Sequence, residues 1–222
     1  MMASRGSPRG SERWRPRLYL VTPPLDEAAS FADHLAAAVV GTADVAAALV
    51  RLAPADEGTL IARVRALAPA VQQRGAALLI DRHAAIAARS GADGVHLDGV
   101  AALEAAIAGL KPDRIAGCGG LTSRHDAMTA AERGADYAMF GEPDATGRRP
   151  AIEAILDRIV WWAELFEVPC VGWAASLDEV GALAAAGADF IALGDWVWTH
   201  PEGPANAVKA AGARLGVAER VP

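Results

Sequence analysis

The sequence predicts one α/β domain, a closed parallel eight-stranded barrel of the (β/α)8 TIM type, and three observations predict it. Short apolar runs alternate eight times with alanine-rich stretches of helical spacing along 222 residues, a length that suits a small barrel of this kind. The strand runs are apolar throughout rather than alternating, as parallel strands covered on both faces must be. The tripeptide Gly-Ala-Asp recurs at Gly91-Ala92-Asp93, Gly134-Ala135-Asp136 and Gly187-Ala188-Asp189, each time between a helical stretch and an apolar run. Glycine fits the left-handed position that ends a helix, so each copy marks a helix-to-strand joint. The copies lie 43 and 53 residues apart, so they need not belong to consecutive units. An open doubly wound sheet would need a topological switch point; the count of eight favours closure.

The elements follow in order. Leu18 to Thr22 is a strand ended by Pro23-Pro24, and Asp26 to Val40 a helix with acidic residues at its start. Val45 to Leu52 is the second strand, and Asp56 to Arg74 a helix closed by Gly75. Ala76 to Ile80 runs into Asp81, and the spacing predicts a helix from Arg82 to Ser90. Val95 to Leu97 and Val100 to Leu110 make the fourth unit; Arg114 to Cys118 and Ser123 to Arg133 make the fifth. Tyr137 to Phe140 is the sixth strand, followed by a loop from Glu142 to Arg149 and a helix reaching about Glu167. Pro169 to Trp173 is the seventh strand, with Ser176 capping a helix that ends at Gly187. Phe190 to Leu193 and Pro204 to Leu215 close the series. Residues 17–222 thus form one barrel domain. Residues 1–16, polar and rich in arginine, read as a disordered basic arm with no signal-peptide core.

Bulk properties exclude several functions. A formal net charge of −6 argues against a nucleic-acid footprint. No run of about 18 apolar residues is present, so no membrane span is expected. The two cysteines, Cys118 and Cys170, sit in apolar strand runs and read as buried thiols of a reducing compartment, the cytoplasm.

Barrel chemistry gathers on residues that directly follow strands. Those positions hold Thr22, Arg51, Asp81, Asp98, Gly119-Gly120, the Glu142 to Arg149 loop, Ala174-Ala175 and Gly194-Asp195. Asp81 and Asp98 follow neighbouring strands and are a minimal Mg²⁺ site; a helix cap is the competing role for Asp81. Arg148 and Arg149 in a glycine-containing loop suit bidentate phosphate contact. Small residues after strands seven and eight let backbone N–H groups approach an anion. His96 reads as a buried, hydrogen-bonded histidine. Trp161 and Trp162 read as packing or an oligomer interface, and Trp173, Trp196 and Trp198 fall where they would crowd a phosphate pocket.

On these residues the chain resembles the thiamine-phosphate synthase family, which includes thiazole tautomerases. The likeness runs from about residue 17 to 213. Its carriers are Leu18-Tyr19-Leu20-Val21-Thr22, Asp81 before an alanine-rich helix, Gly91-Ala92-Asp93-Gly94-Val95-His96-Leu97, Gly134-Ala135-Asp136-Tyr137 with Phe140-Gly141, and Val168-Pro169 with Gly187-Ala188-Asp189. The resemblance implies coupling of hydroxymethylpyrimidine pyrophosphate to a thiazole phosphate, with Mg²⁺ and release of pyrophosphate. It implies Asp81 as a metal ligand, with Asp98 standing in for the second. Arg51 and Arg149 are then the catalytic cations, and Thr146, Arg148, Gly120, Gly172 and Gly194 the substrate and phosphate contacts. The partners implied are phosphorylated small molecules, and the tryptophan-rich segments suggest a homodimer.

The departures are specific. The Gln and Lys that flank the arginine in the family are Leu49 and Ala53, the Asn before the metal Asp is Ile80, and the second metal Asp is Ala101. The serine after strand five is Gly120, the tautomerase histidine falls near Thr122, and the Ile-Gly-Gly-Ile phosphate turn is Gly172-Trp173-Ala174-Ala175. The alternative expectation is therefore a non-catalytic or repurposed relative that binds a small phosphorylated ligand.

Overall fold

The structure is a computed structural model that describes residues 15–42 and 44–216. Most of the expected basic arm, to residue 14, lies outside the described residues. Eight strands close in sequence order into a parallel barrel. They are β1 (Arg17–Leu25), β2 (Val45–Leu52), β3 (Ala77–Asp81), β4 (Gly94–Asp98), β5 (Ile115–Gly119), β6 (Tyr137–Phe140), β7 (Cys170–Ala174) and β8 (Phe190–Leu193). The helices between and after them are α1 (Ala28–Val39), α2 (Glu57–Gln72), α3 (Ala84–Ser90), α4 (Val100–Leu110), α5 (Arg124–Glu132), α6 (Ile152–Leu165), α7 (Leu177–Ala185) and α8 (Pro204–Arg214). A single 3₁₀ turn, Asp195–Val197, follows β8. Among the described residues no helix is long and apolar enough to cross a membrane.

The three Gly-Ala-Asp joints precede β4, β6 and β8, which explains their spacing. Gly91, Gly134 and Gly187 take φ of 86°, 95° and 100°, the left-handed conformation that glycine adopts without steric cost. Ala92, Ala135 and Ala188 are buried. Each aspartate then clips the neighbouring odd strand. Asp93 Oδ2 accepts from Leu78 N–H at 2.7 Å, Asp136 Oδ2 from Ala116 N–H at 2.7 Å and Asp189 Oδ2 from Cys170 N–H at 2.8 Å. The same aspartates donate their own N–H groups to the carbonyls of Leu78, Ala116 and Cys170.

Side chains that point outward from the strands pack against the helices in the main core. Those that point inward, among them Tyr19, Leu49, Leu79, Tyr137, Met139 and Trp173, fill the barrel itself.

Three sequence expectations need correction. The first strand does not stop at Pro23-Pro24. β1 continues through a register shift, with Pro24 opposite Arg51 and Leu25 opposite Leu52. Proline lacks only the donor, and the Leu25 carbonyl still accepts from Ala53 N–H. The third helix begins at Ala84, not Arg82, because Arg82 adopts φ of 63°; the N-cap is His83, so Asp81 does not cap the helix. Ser176 occupies the N-cap of α7 but makes no side-chain cap bond. Glu179 instead reaches back to accept from Ala175 N–H at 2.8 Å.

Candidate functional site

A cleft of about 490 Å³ opens at the C-terminal end of the barrel. Loops after β3 to β6 and the side of α6 line it: Arg82, Asp98, Gly120, Leu121, Glu142, Arg148, Arg149 and Arg158 are among its walls. The location follows from βα architecture, since only the loops after strands are free to vary without disturbing the barrel.

Beneath the cleft runs a buried hydrogen-bonded row. Tyr19 and Tyr137 hydroxyls meet at 2.8 Å, Tyr137 Oη lies 3.0 Å from His96 Nδ1, and His96 Nε2 lies 3.1 Å from Glu142 Oε2. Glu142 also accepts from Gly120 N–H. Glycines on β5 make room for this row. A Cβ at Gly117 would lie 1.9 Å from the Tyr137 ring, and one at Gly119 would lie 2.0 Å from Glu142 Oε1.

Burial pushes His96 toward the neutral form, but the Glu142 carboxylate, with Asp81 and Asp98 behind it, outweighs burial and raises its pKa above the ordinary value. Burial likewise works against the Glu142 anion, yet His96, the Gly120 N–H and Arg82 hold its pKa below the usual carboxylate range. Both directions favour the charged pair over the neutral one; with His96 protonated, Nε2 donates to Glu142 and Nδ1 to Tyr137 Oη. The tyrosine hydroxyls are raised by burial and stay neutral. Cys118, with its thiol pushed up to about 12 by burial and then by Glu142, is no nucleophile.

The structure separates the sequence-predicted site residues into two groups. Asp98, Gly120, Arg148 and Arg149 line the cleft. Asp81 joins them through Arg82, whose Nε lies 3.7 Å from Asp81 Oδ1 while its Nη2 lies 3.1 Å from Asp98 Oδ2. Burial raises the Asp81 pKa against the pull of His96 and Arg82. Gly120 takes φ of 63°, and a Cβ there would sit 2.1 Å from Asp98 Oδ1, so glycine lets the two loops touch.

Arg51, Thr146, Gly172 and Gly194 are not among the cleft-lining residues. Arg51 hydrogen-bonds the Thr22 carbonyl and pairs with Asp195, tying β2 to β1 and to the turn after β8. Thr146 spends its hydroxyl on Asp144 Oδ1 at 2.6 Å, organising the loop. Gly172 lies mid-strand, and a Cβ there would meet Ile159 and Leu183 of the helix layer at 2.9 and 3.1 Å. Gly194 abuts the Trp173 indole, 2.9 Å from where its Cβ would be. Trp173 is buried inside the barrel, and Trp196 Nε1 donates to the Ala174 carbonyl at 3.1 Å, so indoles take the space beside the ends of β7 and β8. Trp198 Nε1 caps the Val21 carbonyl at 2.7 Å.

Arg149 does line the cleft, but its guanidinium is engaged. It binds both oxygens of Glu179 at 2.9 and 2.8 Å, the Trp173 carbonyl at 3.1 Å and the Gly141 carbonyl at 3.2 Å. Sequence reasoning gives no role to Arg82, Glu142 or Arg158 individually. Arg82 and Glu142 were findable, since each stands one or two residues beyond a strand end. Arg158 was not, because it reaches the cleft from mid-helix, held by the carbonyls of Leu121 and Thr122 at 2.7 and 3.1 Å.

A protein-held Mg²⁺ needs hard oxygen donors with room for octahedral coordination. Asp81 and Asp98 supply two carboxylates, but the Arg82 guanidinium already lies between them. Among the described residues no group of three or more His, Cys, Asp or Glu is placed to hold a metal ion. With a guanidinium between them, the two carboxylates do not fit a protein-held Mg²⁺ ion.

Comparison with known proteins identifies the family. The family model described as thiamine monophosphate synthase matches residues 18–197. A thiamine-phosphate synthase from Rhodospirillum centenum is 41% identical over 196 residues, covering 86% of this chain and 94% of that protein. One from Hyphomonas neptunium is 37% identical over 207 residues, covering 89% and 93%. Among solved structures, a thiamine phosphate pyrophosphorylase from Pyrococcus furiosus shares the fold, with a TM-score of 0.71 at 21% identity over 91% of this chain and 96% of that one. With the model matched across nearly the whole barrel and these relatives covered almost end to end, the chain belongs to the thiamine monophosphate synthase family.

Proposed function

We propose that this protein is a thiamine-phosphate synthase that couples hydroxymethylpyrimidine pyrophosphate to a thiazole phosphate in the cytoplasm. The observation that carries this reading is the 41% identity to the Rhodospirillum centenum thiamine-phosphate synthase across 94% of its length. In the reaction the thiazole ring nitrogen forms a bond to the pyrimidine methylene carbon. The carbon–oxygen bond to pyrophosphate breaks, its electron pair leaves on the pyrophosphate, and no proton need move. The protein's task is then to bind and neutralise an anionic leaving group in a fixed place. The arginines of the cleft suit that task, since guanidinium groups match phosphate oxygens bidentately. The partners on this reading are phosphorylated small molecules, with a homodimer as the assembly. A steady-state assay with both substrates tests it: thiamine phosphate should accumulate in proportion to enzyme, and folded protein giving no product above background would refute it.

A second reading is a relative that binds a small phosphorylated ligand without turning it over. The engagement of Arg149 by Glu179 favours it, because a cation to which the resemblance gives a catalytic role is already held by a carboxylate. It expects thiamine phosphate to raise the melting temperature while the coupling assay stays silent. No stabilisation by that ligand would dispose of it.

A further inference from the structure

Arg82 is the one non-glycine residue with a left-handed backbone among the described residues, at φ of 63°. Such a conformation is costly for a side-chain-bearing residue and persists where the surroundings impose it. Here Arg82 N–H donates to the His96 carbonyl at 2.7 Å, extending the β3–β4 ladder by one bond past its end. That geometry throws the side chain sideways across the barrel mouth, from the end of β3 to the end of β4. Its guanidinium comes to lie against both strand-end carboxylates, 3.7 Å from Asp81 Oδ1 and 3.1 Å from Asp98 Oδ2. It faces the same cleft as Arg148 and Arg158.

We propose that Arg82 is a tethered cation standing between Asp81 and Asp98 in the place of a divalent metal, and that the cleft binds a pyrophosphate group through guanidinium contacts without a protein-held metal ion. The inference rests on the reading of this cleft as a pyrophosphate site. A divalent ion on the same two carboxylates would have to displace a cation already attached to the backbone beside them. The pair loses its attraction for a metal because it is already neutralised in part. The guanidinium keeps N–H donors directed away from the carboxylates for phosphate oxygens. Gly120 completes the arrangement: any larger residue there would collide with Asp98 and shift it from Arg82.

Two measurements test this. In the first, inorganic pyrophosphate is titrated calorimetrically into the protein in EDTA and again with Mg²⁺. Binding should survive EDTA and change by less than about threefold with the metal, if guanidinium groups carry it. Arg82→Gly, which suits the left-handed backbone and so should fold, is expected to weaken pyrophosphate binding in EDTA roughly tenfold or more, the usual worth of one charge-assisted contact. Arg82→Lys should recover part of the loss. In the second, Mn²⁺ binding is followed by electron paramagnetic resonance without pyrophosphate. The native protein should show no site at Asp81 and Asp98; Arg82→Gly should gain one, and adding Asp98→Asn should abolish it. Pyrophosphate binding that vanishes in EDTA, or a native Mn²⁺ site removed by Asp98→Asn, overturns the tethered cation and leaves the proposed activity standing. Absence of pyrophosphate binding with and without Mg²⁺ overturns the pyrophosphate reading itself.

Discussion

At the scale of single residues, the decisive groups are charges held in contact with one another. His96 and Glu142 are a buried pair whose shifts have opposite senses: His96 is raised and Glu142 lowered. The raised histidine contributes stability in full below its unfolded pKa of about 6.5, and loses it as pH rises through the elevated folded value. The lowered glutamate contributes above its unfolded pKa of about 4.3 and loses that as pH falls through the depressed folded value. The pair is therefore most valuable near pH 5 to 6.5. Glu142→Gln should cost about 2 kcal/mol in urea unfolding at pH 6 and distinctly less at pH 9; an equal cost at both would show that the ion pair does not form. The polar partners of His96 come from β6 and the loop after it, some 40 positions away in the chain, which is why a buried histidine was legible in Gly-Val-His-Leu but its partners were not.

At the scale of elements, the Gly-Ala-Asp joint emerges as a clip. Its glycine ends a helix, its alanine fits under the strands, and its aspartate holds the N-terminus of the neighbouring strand by both main chain and side chain. A related joint precedes β2, where Gly41 and Asp44 stand and the Asp44 carbonyl accepts from Leu18 N–H at 2.8 Å. Every even strand is thus tied to the odd strand before it. Asp93→Ala would strand Leu78 N–H and lose the Gln72 amide contact at 3.0 Å. We expect it to destabilise the fold by about 2 kcal/mol while leaving pyrophosphate affinity unchanged, because the clip lies at the opposite end of the barrel from the cleft. Urea titration and calorimetry on one sample check both halves; an altered affinity would show that the ends are coupled.

At the scale of the molecule, closure puts Cys118 of β5 and Cys170 of β7 in the same core on either side of Ala138 of β6, both fully buried and forming no disulfide. With the Cys118 thiol held up at about 12, the native protein should resist thiol reagents. Labelling of the two should follow global unfolding, so that its denaturant dependence overlays that of the circular dichroism. Fast labelling under native conditions would reveal local opening of β5 or β7. The class, order and approximate bounds of the elements, and hence the barrel and its family, were legible in the chain alone, because periodicity, helix ends and strand hydrophobicity are local consequences of residue type. The same pattern also placed Asp81, Asp98, Gly120, Arg148 and Arg149 at one end of the barrel. What those side chains face emerges only once the chain is folded. Arg149 is engaged by Glu179 from α7, Arg51 by Asp195 across the closing seam, and Asp81 and Asp98 share Arg82. Each of these pairings depends on the angle at which one loop meets another, and no local pattern carries that angle.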